Sequence, residues 1–174
     1  MVGLTTATLD ALRLTVLRDG GLSGATRLQD AGFAGGKALY DAFRDWLASR
    51  TDTDPRELPT PEFGEHMSEF FRQAGWGSMR LGSLADSVAT ADSTDWRESE
   101  STQPEEHPGC HLTTGMLAAF FTAAGDAPIA ALEVECRGKG DSRCRFLIGA
   151  GPLLTHIFEQ VEQGQDYEGA LAGE

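Results

Sequence analysis

Apolar side chains recur at helical spacing over five stretches of the chain and crowd into short runs between them. Residues 5–18 place Leu9, Leu12, Val16 and Leu17 near one face, with Thr6 or Thr8 as cap and Asp19-Gly20-Gly21 as stop. Residues 23–49 carry Leu28, Phe33, Leu39, Tyr40, Phe43, Trp46 and Leu47. Gly32, Gly35 and Gly36 interrupt that pattern and predict a kink or a close helix contact. Residues 61–75 form a third helix with Phe63, Met67, Phe70 and Phe71 on its apolar side. Residues 112–124 are small or apolar nearly all round, the pattern of a buried helix. Residues 152–163 close the series with Leu153, Leu154, Ile157, Phe158 and Val161.

The shorter runs predict strands over 76–81, 87–91, 128–136 and 143–148, the last two joined as a hairpin. Residues 51–61 and 101–109 are polar and proline-bearing and read as surface loops. Residues 164–174 are acidic and glycine-bearing and read as a mobile tail. The sum is one α+β domain over residues 1–174, with helices packed on one antiparallel sheet of about four strands. Gly75-Trp-Gly77 follows a helix and not a strand, which removes a dinucleotide-binding reading.

Net charge sharpens the exclusions. At −13 the chain lacks the basic face that phosphate contacts demand, so direct nucleic-acid binding is not expected. No run reaches the length of a membrane span, and residues 1–17 lack the apolar core of a signal peptide, so a cytoplasmic location is expected. No flavin or nicotinamide motif and no catalytic constellation stands out. The acidic pairs Glu98/Glu100 and Glu105/Glu106 read as solvated surface.

All three cysteines fall between residues 110 and 144. Cys136 and Cys144 flank Arg-Gly-Lys-Gly-Asp-Ser-Arg, a hairpin loop that brings two sulfurs together; Cys110 arrives from elsewhere. Glu133, Glu135 or His111 can supply a fourth arm, and three thiolates with one oxygen or nitrogen make a tetrahedral zinc set. Buried core thiols, or one disulfide with one free thiol, fit the same spacing. A regular strand would point Glu133 and Cys136 to opposite faces, so a Glu133 ligand requires a bulge or a turn.

The run Glu133-Val-Glu-Cys136-Arg-x-x-Gly140-x-x-x-Cys144-Arg145, preceded by Cys110-x-x-x-x-Gly115, closely resembles the 4-vinyl-reductase-like domain family. That family includes sensory domains of phenol- and xylene-responsive bacterial activators, and its fold is similar to that of TRAPP subunits. The resemblance implies a structural Zn2+ held by Cys110, Glu133, Cys136 and Cys144, with Glu133 selected over Glu135. It also implies an aromatic pocket between helices and sheet, and N-terminal helices (residues 1–50) that build a homodimer.

The family tryptophan of a Trp-x-x-Ser pattern matches Trp96. The family pocket histidine aligns with Phe71, and His66 lies nearby on the same helix. Phe70, Met67, Phe120, Phe121 and Phe146 complete the expected lining; for each of them, ordinary core packing is the competing reading. The implied function is a sensor or carrier of a small hydrophobic or aromatic molecule, acting through a separate protein. An accessory role in tetrapyrrole vinyl reduction and a ligand-free structural adaptor are the alternatives.

Overall fold

The computed structural model describes residues 4–20, 22–100 and 105–172. Residues 101–104 of the expected loop, Gly21 of the first helix stop and the last two residues of the tail lie outside the described residues. The elements are α1 (Thr6–Gly20), α2 (Leu22–Ala48), α3 (Thr60–Gln73), β1 (Arg80–Ala85), β2 (Val88–Ser93), α4 (His111–Gly125), β3 (Ala130–Glu135), β4 (Cys144–Gly149), α5 (Gly151–Glu162) and α6 (Tyr167–Ala172). Short 3-10 turns span Pro55–Glu57, Arg97–Ser99 and Arg137–Lys139. The expected α+β class is observed. All neighbouring strands run antiparallel in the order β1-β2-β4-β3.

The alternation of β4 divides the core. Phe146 and Ile148 enter a large cluster with α2, α3 and α4, whereas Leu147 joins Val88, Leu154, Ile157 and Ala170 beneath α5 and α6. The sheet is therefore covered on both faces. The expected mobile tail carries α6, whose Ala170 is buried and whose Tyr167 hydroxyl meets Glu135 and Arg145. Among the described residues no helix is long and apolar enough to cross a membrane.

The glycines of α2 mark a close contact and not a kink, since the helix runs unbroken from Leu22 to Ala48. A Cβ on Gly32 would stand 2.0 Å from the Leu112 carbonyl oxygen, and one on Gly36 2.5 Å from that of Met116. Gly115 of α4 answers them: its Cβ would stand 1.9 Å from the Gln29 carbonyl oxygen. Two backbones touch here, and no side chain fits between them.

Several expectations are corrected. α1 buries Asp10 and Arg13, while Leu12 is 53% exposed, so its inward face is the charged one. Phe33 and Phe158 likewise face outward, and Val161 is partly exposed. The first two strands begin later than their apolar content suggests. Gly75 and Gly77 take φ of +87° and +112°, and the Asp95 carboxylate accepts the Ser78 N–H and hydroxyl, both at 2.9 Å. Residues 76–79 are thereby held as a turn against residue 95, and pairing starts at Arg80↔Asp92.

Candidate functional site

Three elements bring four side chains to one point. Cys110 stands at the N-terminus of α4, Cys136 follows β3, and Cys144 opens β4. The loop between the last two is folded onto itself. The Cys136 carbonyl accepts the N–H groups of Lys139 and Asp141, both at 3.1 Å, and the Asp141 carboxylate accepts the Cys136 N–H at 2.8 Å. Gly140 makes the return at φ +108°.

Glu133 reaches the same point because β3 is not regular. Glu133 pairs with Phe146 and Glu135 with Arg145, so an extra residue shifts the register between them. That bulge turns Glu133 toward the cysteines. Glu135 instead takes two hydrogen bonds from Arg143, at 2.8 and 3.0 Å, and one from Tyr167. His111 also stands outside the cluster. Of the three candidate fourth arms, the fold brings Glu133 to the sulfurs.

The ligand atoms of Cys110, Glu133, Cys136 and Cys144 all lie within 4.8 Å of one another, and all four residues are buried. The three cysteines are free thiols, and the Sγ atoms of Cys110 and Cys136 are 3.9 Å apart. A tetrahedron with metal–sulfur bonds of about 2.3 Å has an edge of about 3.8 Å, so the separation fits a shared ion. Glu133 accepts the Cys110 N–H through Oε2 at 2.7 Å. Its other oxygen is buried without a hydrogen-bond partner among the described residues, an arrangement that costs free energy unless a further group meets it. Burial pushes the Cys110 thiol and the Glu133 carboxyl well above their ordinary values. Cys144 is drawn down to about 4 by hydrogen bonds from Cys110 and Cys136. Burial of three thiols and a carboxyl together disfavours their charged forms, a cost that a divalent cation offsets.

A second constellation adjoins the first. The Trp96 indole N–H donates to Thr113 Oγ1 at 2.7 Å, and that hydroxyl donates to Glu98 Oε2 at 2.5 Å. Glu98 also accepts the Leu112 and Thr113 N–H groups, at 3.0 and 2.7 Å, which places a carboxylate at the N-terminus of α4. Arg13 closes the set: its Nε lies 3.5 Å from Glu98, and one terminal nitrogen donates to Glu105 at 2.5 Å and to the Gly109 carbonyl at 3.0 Å. Glu105 in turn comes within 4.0 Å of Cys136 Sγ. Glu98 and Arg13 are each 1% exposed, which corrects the reading of Glu98 as solvated surface. Sequence reasoning missed this group because no local spacing links α1 to residues 98 and 105.

The aromatic residues form one buried cluster that also contains the three cysteines. Trp96 stacks on Trp76 at 5.7 Å and meets the edge of Phe71 at 5.4 Å. Phe71 packs on Phe70 and Phe120, both at 5.6 Å, and Phe120 on Phe121 at 5.5 Å. Met67 and Phe146 lie fully buried in the same cluster, whereas His66 is half-buried beside Trp46 and apart from Trp96. A cleft of about 690 Å³ opens elsewhere, between α3 and β1. Met79, part of the aromatic cluster, is one of its walls.

A small α+β domain with an aromatic core and a buried three-cysteine, one-glutamate cluster is the class these features define. The family model of the 4-vinyl-reductase domain matches residues 97–150, the segment from the Arg97 turn to the end of β4. No curated protein matches the chain. Among solved structures, the chain is similar to the phenol-responsive sensory domain of the transcription activator PoxR with phenol. The match has 22% identity, covers 99% of this chain and 82% of that chain, and gives a TM-score of 0.60. A vinyl-4-reductase family protein from Methanocaldococcus jannaschii matches at 16% identity over 85% of this chain and 82% of that chain, with TM-score 0.57. A trafficking protein particle complex subunit 3 from Naegleria fowleri, covalently bound to palmitic acid, matches at 13% identity over 83% of this chain and 91% of that chain, with TM-score 0.66. At these identities the three share a fold with this chain.

Proposed function

We propose that this chain is a small-molecule-binding domain, a sensor or carrier for a hydrophobic or aromatic ligand, stabilised by a structural Zn2+ and acting through a separate protein. The observation that carries the reading is the continuity of the aromatic cluster around Trp96 with the cluster of Cys110, Glu133, Cys136 and Cys144, in a fold shared with a phenol-responsive sensory domain. Zinc at that point ties β3, β4 and the start of α4 together, the role of a closed three-sulfur, one-oxygen site.

In this reading the aromatic side chains around Trp96 would set the ligand chemistry. Phe71 offers no hydrogen bond, and the Trp96 N–H is already engaged by Thr113. Tyr40 lies against Phe120, and its buried hydroxyl has no hydrogen-bond partner among the described residues. A ligand with an apolar body and one polar group at Tyr40 fits this inventory better than a polar one. Self-association through α1 and α2, with the exposed Leu12 and Phe33 on its surface, is part of the proposal.

The dense ring packing favours a second reading, a structural adaptor whose core stays filled. Native mass spectrometry of the purified chain separates the two. A bound organic mass, or one gained from a hydrophobic library, supports the sensor or carrier reading. A chain that stays bare throughout supports the adaptor.

A further inference from the structure

The cleft between α3 and β1 has two continuous walls. One is a single face of α3, with contributions at residues 60, 61, 64, 65, 68 and 69; the other is Met79, just before β1, and then residues 80–83, consecutive along β1. Consecutive residues of a strand alternate between its faces, so a wall made of all of them is the strand's edge. β1 ends the sheet order and pairs on one side with β2, leaving the other row of backbone groups without a strand partner among the described residues. Residues 60–69 rise about 13 Å along α3, and residues 80–83 span about 10 Å along β1. That is room for about four extended residues.

An open edge of this kind is ordinarily blunted by charge, proline or a covering element. β1 reads Arg-Leu-Gly-Ser-Leu-Ala, with one charge at its start. Gly64 keeps α3 close to the strand at the level of Leu81, and the Ser68 hydroxyl accepts the Met79 N–H at 3.1 Å. Glu65 lines the helix wall and Glu62 precedes it on α3, whereas Glu69 is paired with Arg72 and Gln73, and Arg80 opens the strand wall. Pairing two copies through β1 would bring these acidic helices, on chains of net charge −13, toward one another.

We propose that this groove binds an extended, lysine- or arginine-bearing segment of another protein, which adds to the sheet as a strand beside β1. Backbone pairing with the edge supplies the affinity, and a basic side chain meets Glu65. The proposal rests on the preceding functional reading in one respect: the partner is then the protein that receives the signal. α3 is suited to that task because its opposite side places Met67, Phe70 and Phe71 in the aromatic cluster. One helix forms a wall of both the core and the groove.

The test uses the ligand-free chain and a pool of labelled octapeptides randomised over Val, Ile, Thr, Tyr and Lys. Retained peptides are sequenced and their affinities read by fluorescence anisotropy. The expected result is retention of lysine-bearing sequences, binding weakened several-fold to about tenfold in E65K, and loss of detectable binding when alternate peptide amides are N-methylated. Equal binding of the N-methylated peptide overturns strand addition, and so does a pool from which nothing is retained. Concentration-dependent amide protection confined to β1 in the chain alone also overturns the proposal and assigns the edge to a second copy. Peptide binding by a chain that acquires no small molecule from the hydrophobic library removes the sensor reading and leaves the groove. Small-molecule binding without peptide removes the groove alone.

Discussion

Arg13→Met removes the cation held among Asp10, Glu98 and Glu105 while retaining an apolar side chain of similar length. The cost follows from what stays behind. Glu98 remains 1% exposed and keeps its three hydrogen bonds at the N-terminus of α4, but it loses its counter-charge. Glu105 is the less enclosed partner, with a side chain 15% exposed, and can rehydrate. Breaking a buried pair from one side costs about 3–5 kcal/mol, and the retained hydrogen bonds place this case near about 3 kcal/mol. For a chain of this size that lowers Tm by about 6–12 °C.

The pH dependence adds a second readout. Burial raises the Glu98 pKa in the folded chain above its unfolded value, and loss of Arg13 raises it further. Stability from a raised carboxyl is present at low pH and declines as pH rises through the folded pKa, so the deficit of the variant is largest at neutral pH and shrinks on acidification. Adding Glu98→Gln recovers part of the loss at neutral pH. Denaturant melts at several pH values read all three effects. A deficit below about 1 kcal/mol, or one that grows as pH falls, refutes the buried-charge account.

The glycine contact makes a paired prediction. Gly115→Ala drives a Cβ to 1.9 Å from the Gln29 carbonyl oxygen and is expected to cost about 1–3 kcal/mol or more; Gly35→Ala meets nothing within 4 Å and is expected to leave stability equal or slightly higher. Thermal melts of both decide it. Cys136→Ser is expected to release zinc and lower Tm, as measured by a chromogenic zinc assay beside a melt; retained metal at an unchanged Tm contradicts the ligand set. The Asp54 carboxyl is held at about 2 by the Arg56 guanidinium and backbone N–H, and Glu69 at about 2 by Arg72 and Gln73. Their contribution is present above the ordinary carboxylate range and is lost as pH falls toward 2, which carboxyl NMR titration follows. Replacing the exposed Leu12 and Phe33 by glutamate is expected to shift the sedimentation profile toward monomer; an unaltered profile counts against self-association through this face.

The helices and the hairpin were legible because their signals are local. The spacing of Met67, Phe70 and Phe71, and the Gly-Lys-Gly-Asp loop between Cys136 and Cys144, each specify a structure within a few residues. The fold class followed from their order. The start of β1 was not legible, because it depends on Asp95 holding Ser78 from across a hairpin. β2, reading Val-Ala-Thr-Ala-Asp-Ser, has too few large apolar residues to declare its boundaries. The Glu133 bulge was recognisable as a requirement of the ligand set, but its position shows only in the pairing with β4. α1 misled outright: its leucines suggested an apolar inward face, while Arg13 turns inward toward Glu98 and Glu105. α6 is too short for its spacing to separate it from a loop, and Tyr167 fixes it by bonding to Glu135 and Arg145 on the sheet.

Zinc K-edge X-ray absorption on the chain as purified tests the central claim most directly. The account predicts one zinc per chain, with three sulfur neighbours at about 2.3 Å and one oxygen at about 2.0–2.2 Å, and loss of a sulfur shell in Cys136→Ser. A chain without zinc that keeps three titratable thiols and an unchanged melt would contradict it, as would a first shell of nitrogen and oxygen alone.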